Sequence, residues 1–414
     1  MAVDTPTVAA PGTRRLRPRA VLRTAAGAAG QVWQRVRHGE LGSLPVVVGL
    51  GVVWAYFQIA NENFLSSGNL TNLMLQIAAM GTISVGVVLV LLLGEIDLSV
   101  SYVSGLAAAT MAVLNVKSEW PAVPAILAGL AVGAGIGLLQ GLWVTKLKVP
   151  SFVVTLAGFL AWQGALGRVL GKTGTVNLSD DRITGLMGTF FSDAVGWALA
   201  ATVVVLTAVS RLLRRRRRVA AGLPAGPATG DVGLVLVVAA AAVAAVAVFN
   251  DDRGVPLGVC IFVGFVVVFD VVTRRTVFGR HVFAIGGNPS AARQAGIRVD
   301  RVRTTVFVLA ATMAAAGGIL SASRLLAVNK SSGGGLLLLD AIAAAVIGGT
   351  SLFGGRGSAW SALLGALVIG SIANGMDLLG QTPDVKSMVT GAVLLVAATI
   401  DAVSRRGRLH DIRA

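Results

Sequence analysis

The feature that most limits this chain is a succession of eleven apolar stretches, near residues 44–60, 73–93, 98–115, 121–143, 150–170, 194–210, 233–249, 255–272, 304–328, 358–379 and 387–403. Each has a length suited to crossing about 30 Å of hydrocarbon as a helix, which takes roughly 17 to 25 residues. Inside that layer no water can satisfy backbone N–H and C=O groups, so the segments must bond internally as helices. A shorter run, Leu336–Ile347, is ambiguous between a full and a partial crossing. Only 13% of the residues are charged against 55% hydrophobic, about half the charge expected of a soluble chain.

The remaining charges set the orientation. Arginines and lysines gather in Arg14–Arg37, at Lys146 and Lys148, and in Arg211–Arg218, Arg274–Arg303 and Arg405–Arg408, whereas Asn61–Asn72 has none. Basic loops stay on the cytoplasmic side, so both termini are expected there, with an even number of crossings once the short segment is included. Trp120, Trp143 and Trp197 fall near span ends, where indole rings prefer the headgroup level. The net charge of +16 follows this loop bias rather than a folded basic surface, so no nucleic-acid partner is expected. Cys260 is a single cysteine and His38, His281 and His410 are far apart, which leaves no disulfide framework and no metal site. Before the first span there is no cleavable signal pattern, and that span is expected to act as an uncleaved signal.

The expected architecture is an all-α polytopic membrane protein of about 10 to 12 transmembrane or re-entrant helices in two inverted-type repeats. Its divisions are a basic cytoplasmic tail (1–43), a first half (44–210), an Arg-rich cytoplasmic linker (211–232), a second half (233–404) containing a loop at 273–303, and a tail (405–414). Gly129, Gly133, Gly137 and Gly141 recur every fourth residue along one span, which predicts a groove for close packing of another helix.

Polarity interrupts the membrane twice. Glu95, Asp97 and Ser99 follow Gly94 with hardly any loop, and a carboxylate at the bilayer centre costs about 2.5 to 3.5 kcal/mol on insertion scales. The pair therefore marks a membrane edge or a protected break, and Asp97 is also suited to cap the following helix. In the second half, the short run holding Asp340 leads into Gly348, Gly349, Thr350, Ser351, Gly354 and Gly355. Gly-interrupted short segments in both halves point to a transport pathway built from discontinuous helices.

Between Arg274 and Arg303 lie seven arginines, counting both ends, and one self-contained helix signal. Asn288 suits an N-cap, Pro289 the first helical position and Gly296 a left-handed stop. So short a helix is unstable alone and needs a surface to dock on. Ala291, Ala292 and Ala295 are expected to form its small docking face, beside Arg293, toward a cytoplasmic protein. No nucleotide site accompanies it: Gly167–Thr173 has three residues between its glycines where a phosphate loop needs four, and no strand precedes it.

These residues together resemble the permease subunits of bacterial ABC importers for monosaccharides, the ribose/galactose/xylose class. The matching stretches are Gly94–Ser99 with Ser104 and Gly105, Ala284–Ile297, Asp340–Gly355 and Ala373–Leu379, and the likeness runs from about residue 45 to 404. Within the class the spans around 211–231 and the form of Asn374–Leu379 look most like D-xylose permeases. The resemblance implies a pair of permease copies, a cytoplasmic ATPase subunit that uses the ATP, an extracytoplasmic sugar-binding protein, and no cofactor bound by the permease itself. It also implies that Asn288–Gly296 belongs to the coupling loop on the ATPase. Gln76, Gln140, Trp162, Gln163 and Asn374 have chemistry suited to sugar hydroxyls, although each can equally be a helix–helix hydrogen bond. The competing reading is an ion-coupled secondary transporter with Glu95, Asp97 and Asp340 as ion sites.

Overall fold

The computed structural model describes residues 44–224 and 228–411; the N-terminal tail, residues 225–227 and residues 412–414 lie outside them. The chain runs α1 (Leu44–Ala60), α2 (Ser67–Leu92), α3 (Val100–Val116), α4 (Ala122–Lys146), α5 (Ser151–Leu170), β1 (Thr175–Asn177), α6 (Asp181–Gly188), β2 (Phe190–Phe191), α7 (Asp193–Ala220) and α8 (Ala228–Asp252). It continues with β3 (Val255–Pro256), α9 (Leu257–Arg275), α10 (Val277–Gly287), α11 (Pro289–Gln294), α12 (Val299–Leu325), β4 (Ala327–Asn329), α13 (Leu337–Ile347), α14 (Ala359–Leu378) and α15 (Pro383–Asp411). Eight of these helices are long and apolar enough to cross a membrane, and α1, α3 and α13 are shorter apolar ones. The protein is an all-α, multi-pass membrane protein.

Hydrophobicity decides which helix is central. Nearly every residue of α2 is apolar or small, as in a helix buried on all sides, and 89% of its apolar window is covered by other helices. For α7 and α8 the figure is 11%, which puts them at the lipid-facing edge. The glycine groove on α4 is filled by α12. A Cβ added at Gly133 would lie 2.6 Å from Ala315 Cβ, and one at Gly141 would lie 2.9 Å from Thr304 Cα. Without side chains the two backbones approach closely, and dispersion rather than a hydrophobic effect holds them inside lipid.

The boundaries of the linker differ from expectation. Arg211–Ala220 form the last turns of α7, so the non-helical connection within the described residues begins only at Ala221. Arginine is a good helix former, and positive charge near a C-terminus complements the helix dipole. At the opposite end two short antiparallel ladders tie the halves together: β1 pairs with β4 (Val176 opposite Val328), and β2 with β3 (Phe191 opposite Val255). Between them α6 is capped by Asp180, whose carboxylate accepts from Arg182 N at 2.9 Å.

Candidate functional site

The structure brings the two polar breaks together. Gly355 N donates to Leu92 O at 2.9 Å, and a Cβ on Gly94 would stand 3.3 Å from Phe353 O. Both breaks therefore lie against each other in the bundle. A third glycine turn closes the junction: a Cβ on Gly354 would be 2.8 Å from both Gly286 O and Gly94 N, and one on Gly355 would be 3.1 Å from Gly287 N. Gly94 and Gly354 have φ of +75° and +82°, which side-chain-bearing residues adopt only under strain. The last turn of α10 thus touches the breaks of both halves through backbone alone.

Glu95 stands at the rim of this junction. Its carboxylate pairs with Arg303 at 3.0 Å and accepts from Ser151 Oγ at 2.6 Å, tying the first break to the starts of α12 and α5. Lys148 pairs with Asp300 at 2.9 Å, so two of the expected basic segments, those of Lys148 and Arg303, meet here.

From Glu95 the chain climbs along α5 to a buried polar cluster. Asp97 is 4% exposed, and its Oδ1 accepts from both Ser99 N at 2.8 Å and Ser99 Oγ at 2.7 Å. Gln140 Nε2 of α4 donates to Ser99 Oγ at 2.8 Å. Gly158 is the gap that lets these groups meet: a Cβ there would lie 2.5 Å from Gln140 Nε2 and 2.9 Å from Trp162 Nε1. Three polar atoms in the cluster, Asp97 Oδ2, Gln140 Oε1 and Trp162 Nε1, are buried without a hydrogen-bond partner. Such groups are rare in native structures and mark a place where a ligand or water completes the bonding. Asp97 also borders a cavity of about 310 Å³ whose other walls are apolar residues including Val87, Ile342, Leu352 and Leu394.

One turn further along α3, Gln163 Nε2 donates to Tyr102 Oη at 2.9 Å, and a Cβ on Gly334 would come within 3.3 Å of that oxygen. The non-helical stretch between β4 and α13 therefore packs on the first turns of α3. The helix after it, α13, has 11 residues, about 16 Å, or roughly half a crossing. Asp340 sits in its first turn, and Thr350 just beyond its end is 1% exposed with Oγ1 unpartnered. Ser351 is buried in the same turn, after Gly348 and Gly349.

Two of the suggested sugar contacts fall elsewhere. Asn374 exchanges amide hydrogen bonds with Asn69 at 2.9 and 3.0 Å, a satisfied link between α14 and α2. Gln76 is half-buried on α2, outside the cluster.

The short helix forms as read. Asn288 Oδ1 accepts from Ser290 N and Ala291 N at 3.0 Å each, Pro289 opens α11, and Gly296 has φ +83°. Its docking face needs correction, because Ala292 is buried, in the same apolar cluster as Val299 and Val302, while Ala291, Arg293 and Ala295 are exposed. Sequence reasoning missed α10, although Thr276 caps it through Gly279 N at 3.2 Å, and Phe278, Val282 and Ile285 have helical spacing. Arg280 and His281 inside it, and the arginines flanking it, gave the stretch the look of a basic loop.

Residues 69–398 match the family of branched-chain amino acid transport system permease components. The chain belongs to that family. The permease is 35% identical to the xylose transport system permease protein XylH of Haemophilus influenzae, over 87% of this chain and 96% of that protein. It is 37% identical to the Escherichia coli K12 protein of the same name, over 83% of this chain and 87% of that one. The ribose import permease protein RbsC of Bacillus subtilis is 32% identical, over 88% and 94% of the two chains. No solved structure matches the permease.

Proposed function

We propose that the chain is the membrane-spanning subunit of an ATP-driven importer of a monosaccharide, with xylose the first candidate because two xylose permeases cover most of it at 35% and 37% identity. The permease works as a pair of copies, with a cytoplasmic ATPase subunit on the exposed side of α11 and an extracytoplasmic sugar-binding protein at the other end. It binds no cofactor and cleaves no ATP itself.

The observation that carries the mechanism is the junction of Gly94, Gly286–Gly287 and Gly354–Gly355. A push on α11 from an ATPase reaches α10, and α10 abuts both breaks with no flexible side chain between to absorb the motion. The breaks adjoin the Asp97 cluster, so displacing them alters access to its unpaired groups. Two acceptors (Asp97 Oδ2, Gln140 Oε1) and one donor (Trp162 Nε1) suit the hydroxyls of a neutral sugar held briefly during passage. No covalent step is required; the cycle is a change of packing driven from outside the membrane.

Of the three carboxylates that the ion-coupled alternative would use, Glu95 is withdrawn, since an ion site needs a carboxylate free to take up its ion. Here both of its oxygens are engaged, one by Arg303 and the other by Ser151.

The test is uptake of labelled xylose and ribose into vesicles holding the permease, the ATPase subunit and the binding protein. Uptake must require ATP and all three proteins, and must survive a protonophore. Uptake by the permease alone that collapses with the protonophore would establish the ion-coupled reading instead.

A further inference from the structure

A second site lies at the arginine-rich end of α7. Helix α7 has 28 residues, about 42 Å, while hydrocarbon of about 30 Å takes up only the first 20 or so. The surplus turns hold Arg214, Arg217 and Arg218, which with Arg211 repeat at helical spacing on one face. Together with Arg275 at the end of α9 they line a cavity of about 610 Å³. Arg211 pairs with Asp231 of α8 at 3.6 Å; the other four have no acidic partner among the described residues. Arg211 also borders a second cavity of about 300 Å³ between α7 and α8, walled mainly by Leu212, Val232, Val235 and Leu236.

We propose that these adjoining cavities bind one anionic phospholipid, its phosphodiester among Arg214, Arg217, Arg218 and Arg275 and an acyl chain along the apolar wall. Four guanidinia converging from two helices repel one another, and a phosphodiester between them relieves that repulsion while accepting several charge-assisted hydrogen bonds. Their depth favours lipid over a free anion. The arginines begin where the hydrocarbon ends, at the level of lipid phosphates, and Leu206 and Val209 on the preceding turns are exposed as acyl contacts. An orientation bias alone would need basic residues at this end but no cavity lined from two helices and bordered, at Arg211, by an apolar groove.

The test uses the full-length permease in nanodiscs of equal phosphatidylglycerol and phosphatidylcholine. After exchange into a mild detergent, the retained phospholipid is counted by mass spectrometry. Wild type should retain phosphatidylglycerol preferentially. Each of Arg217→Gln and Arg275→Gln should lower that preference about fivefold, the effect of roughly one basic side chain near a charged headgroup. Arg216→Gln, which removes a charge of the same run outside both cavities, should leave it unchanged. Arg275→Gln lies outside the Arg run and controls for altered insertion, and size-exclusion profiles confirm that each variant is folded. Equal loss in all three variants would show diffuse attraction and overturn the site, as would no preference in wild type. Release of the retained lipid by millimolar inorganic phosphate would assign the cavity to a free anion and overturn the lipid proposal.

Discussion

At the scale of single residues, Asp97 divides two roles between its oxygens. One carboxylate oxygen accepts from the Ser99 amide and hydroxyl in the turn before α3, whose N-cap is Ser99 and not Asp97 as expected, while the other is buried and unpaired beside the cavity. Asp97→Asn keeps an acceptor for Ser99 and replaces the free oxygen by a donor, so it should fold like wild type and lose most ATP-driven uptake. Asp97→Ala removes both hydrogen bonds to Ser99 as well and should also destabilise the protein by about 1 kcal/mol, read as a lower thermal midpoint in detergent. Gly158 gives a sharper separation. Its missing Cβ is the space in which Gln140 and Trp162 approach Ser99, and both of those side chains can swing aside. Gly158→Ala should therefore leave the melting temperature within a few degrees and cut uptake at least tenfold; unaltered uptake would exclude the cluster from the pathway.

At the scale of elements, the coupling segment is a helix–turn–helix whose two parts face different partners. Ala291 on α11 and Ala295 at its C-cap are exposed, whereas Ala292 is turned into the protein. Ala291→Glu and Ala295→Glu should uncouple ATP hydrolysis from uptake without affecting stability. Ala292→Glu buries an unpaired charge and should destabilise by roughly 2 to 4 kcal/mol whether or not an ATPase is present. Equal behaviour of all three variants in a melting assay would contradict the burial pattern. This element also shows what the sequence makes legible. Local signals were readable: the Asn288 cap, Pro289 and Gly296 each specify a local conformation, and the every-fourth-residue glycines of α4 specify a groove without naming the helix that fills it. Spans were readable because lipid forces one length and one composition. The meeting of Gly94, Gly286 and Gly354 was not, since each sits in a different part of the chain and a glycine does not say which backbone it will approach. Asn374 and Gln140 looked alike for the same reason: only the fold shows that one amide is fully satisfied and the other is not.

For the whole molecule, the question is whether the junction is a fixed packing point or the place where motion enters the bundle. Helix α12 is locked into the α4 groove by backbone contact, and α2 is enclosed on all sides, so this core is suited to move as a unit. The second break is a non-helical turn between half-length α13 and α14, closed by contact with Gly94 and Gly286, and it buries Thr350 and Ser351. If an ATPase drives α10, separation at that contact exposes the turn to water while the ends of α13 and α14 remain packed. In a Cys260→Ala background, Thr350→Cys and Ser351→Cys should resist a small water-soluble thiol reagent in the permease alone. Labelling should rise at least tenfold when the ATPase subunit is trapped with nucleotide. Val346→Cys, inside α13, should stay protected in both conditions, which distinguishes a local opening from general loosening. Labelling at 350 and 351 that is the same in every nucleotide state would make the glycine turns static packing elements, and coupling would then have to run through the Glu95–Arg303 ion pair, where Arg303→Gln is the variant that would abolish uptake.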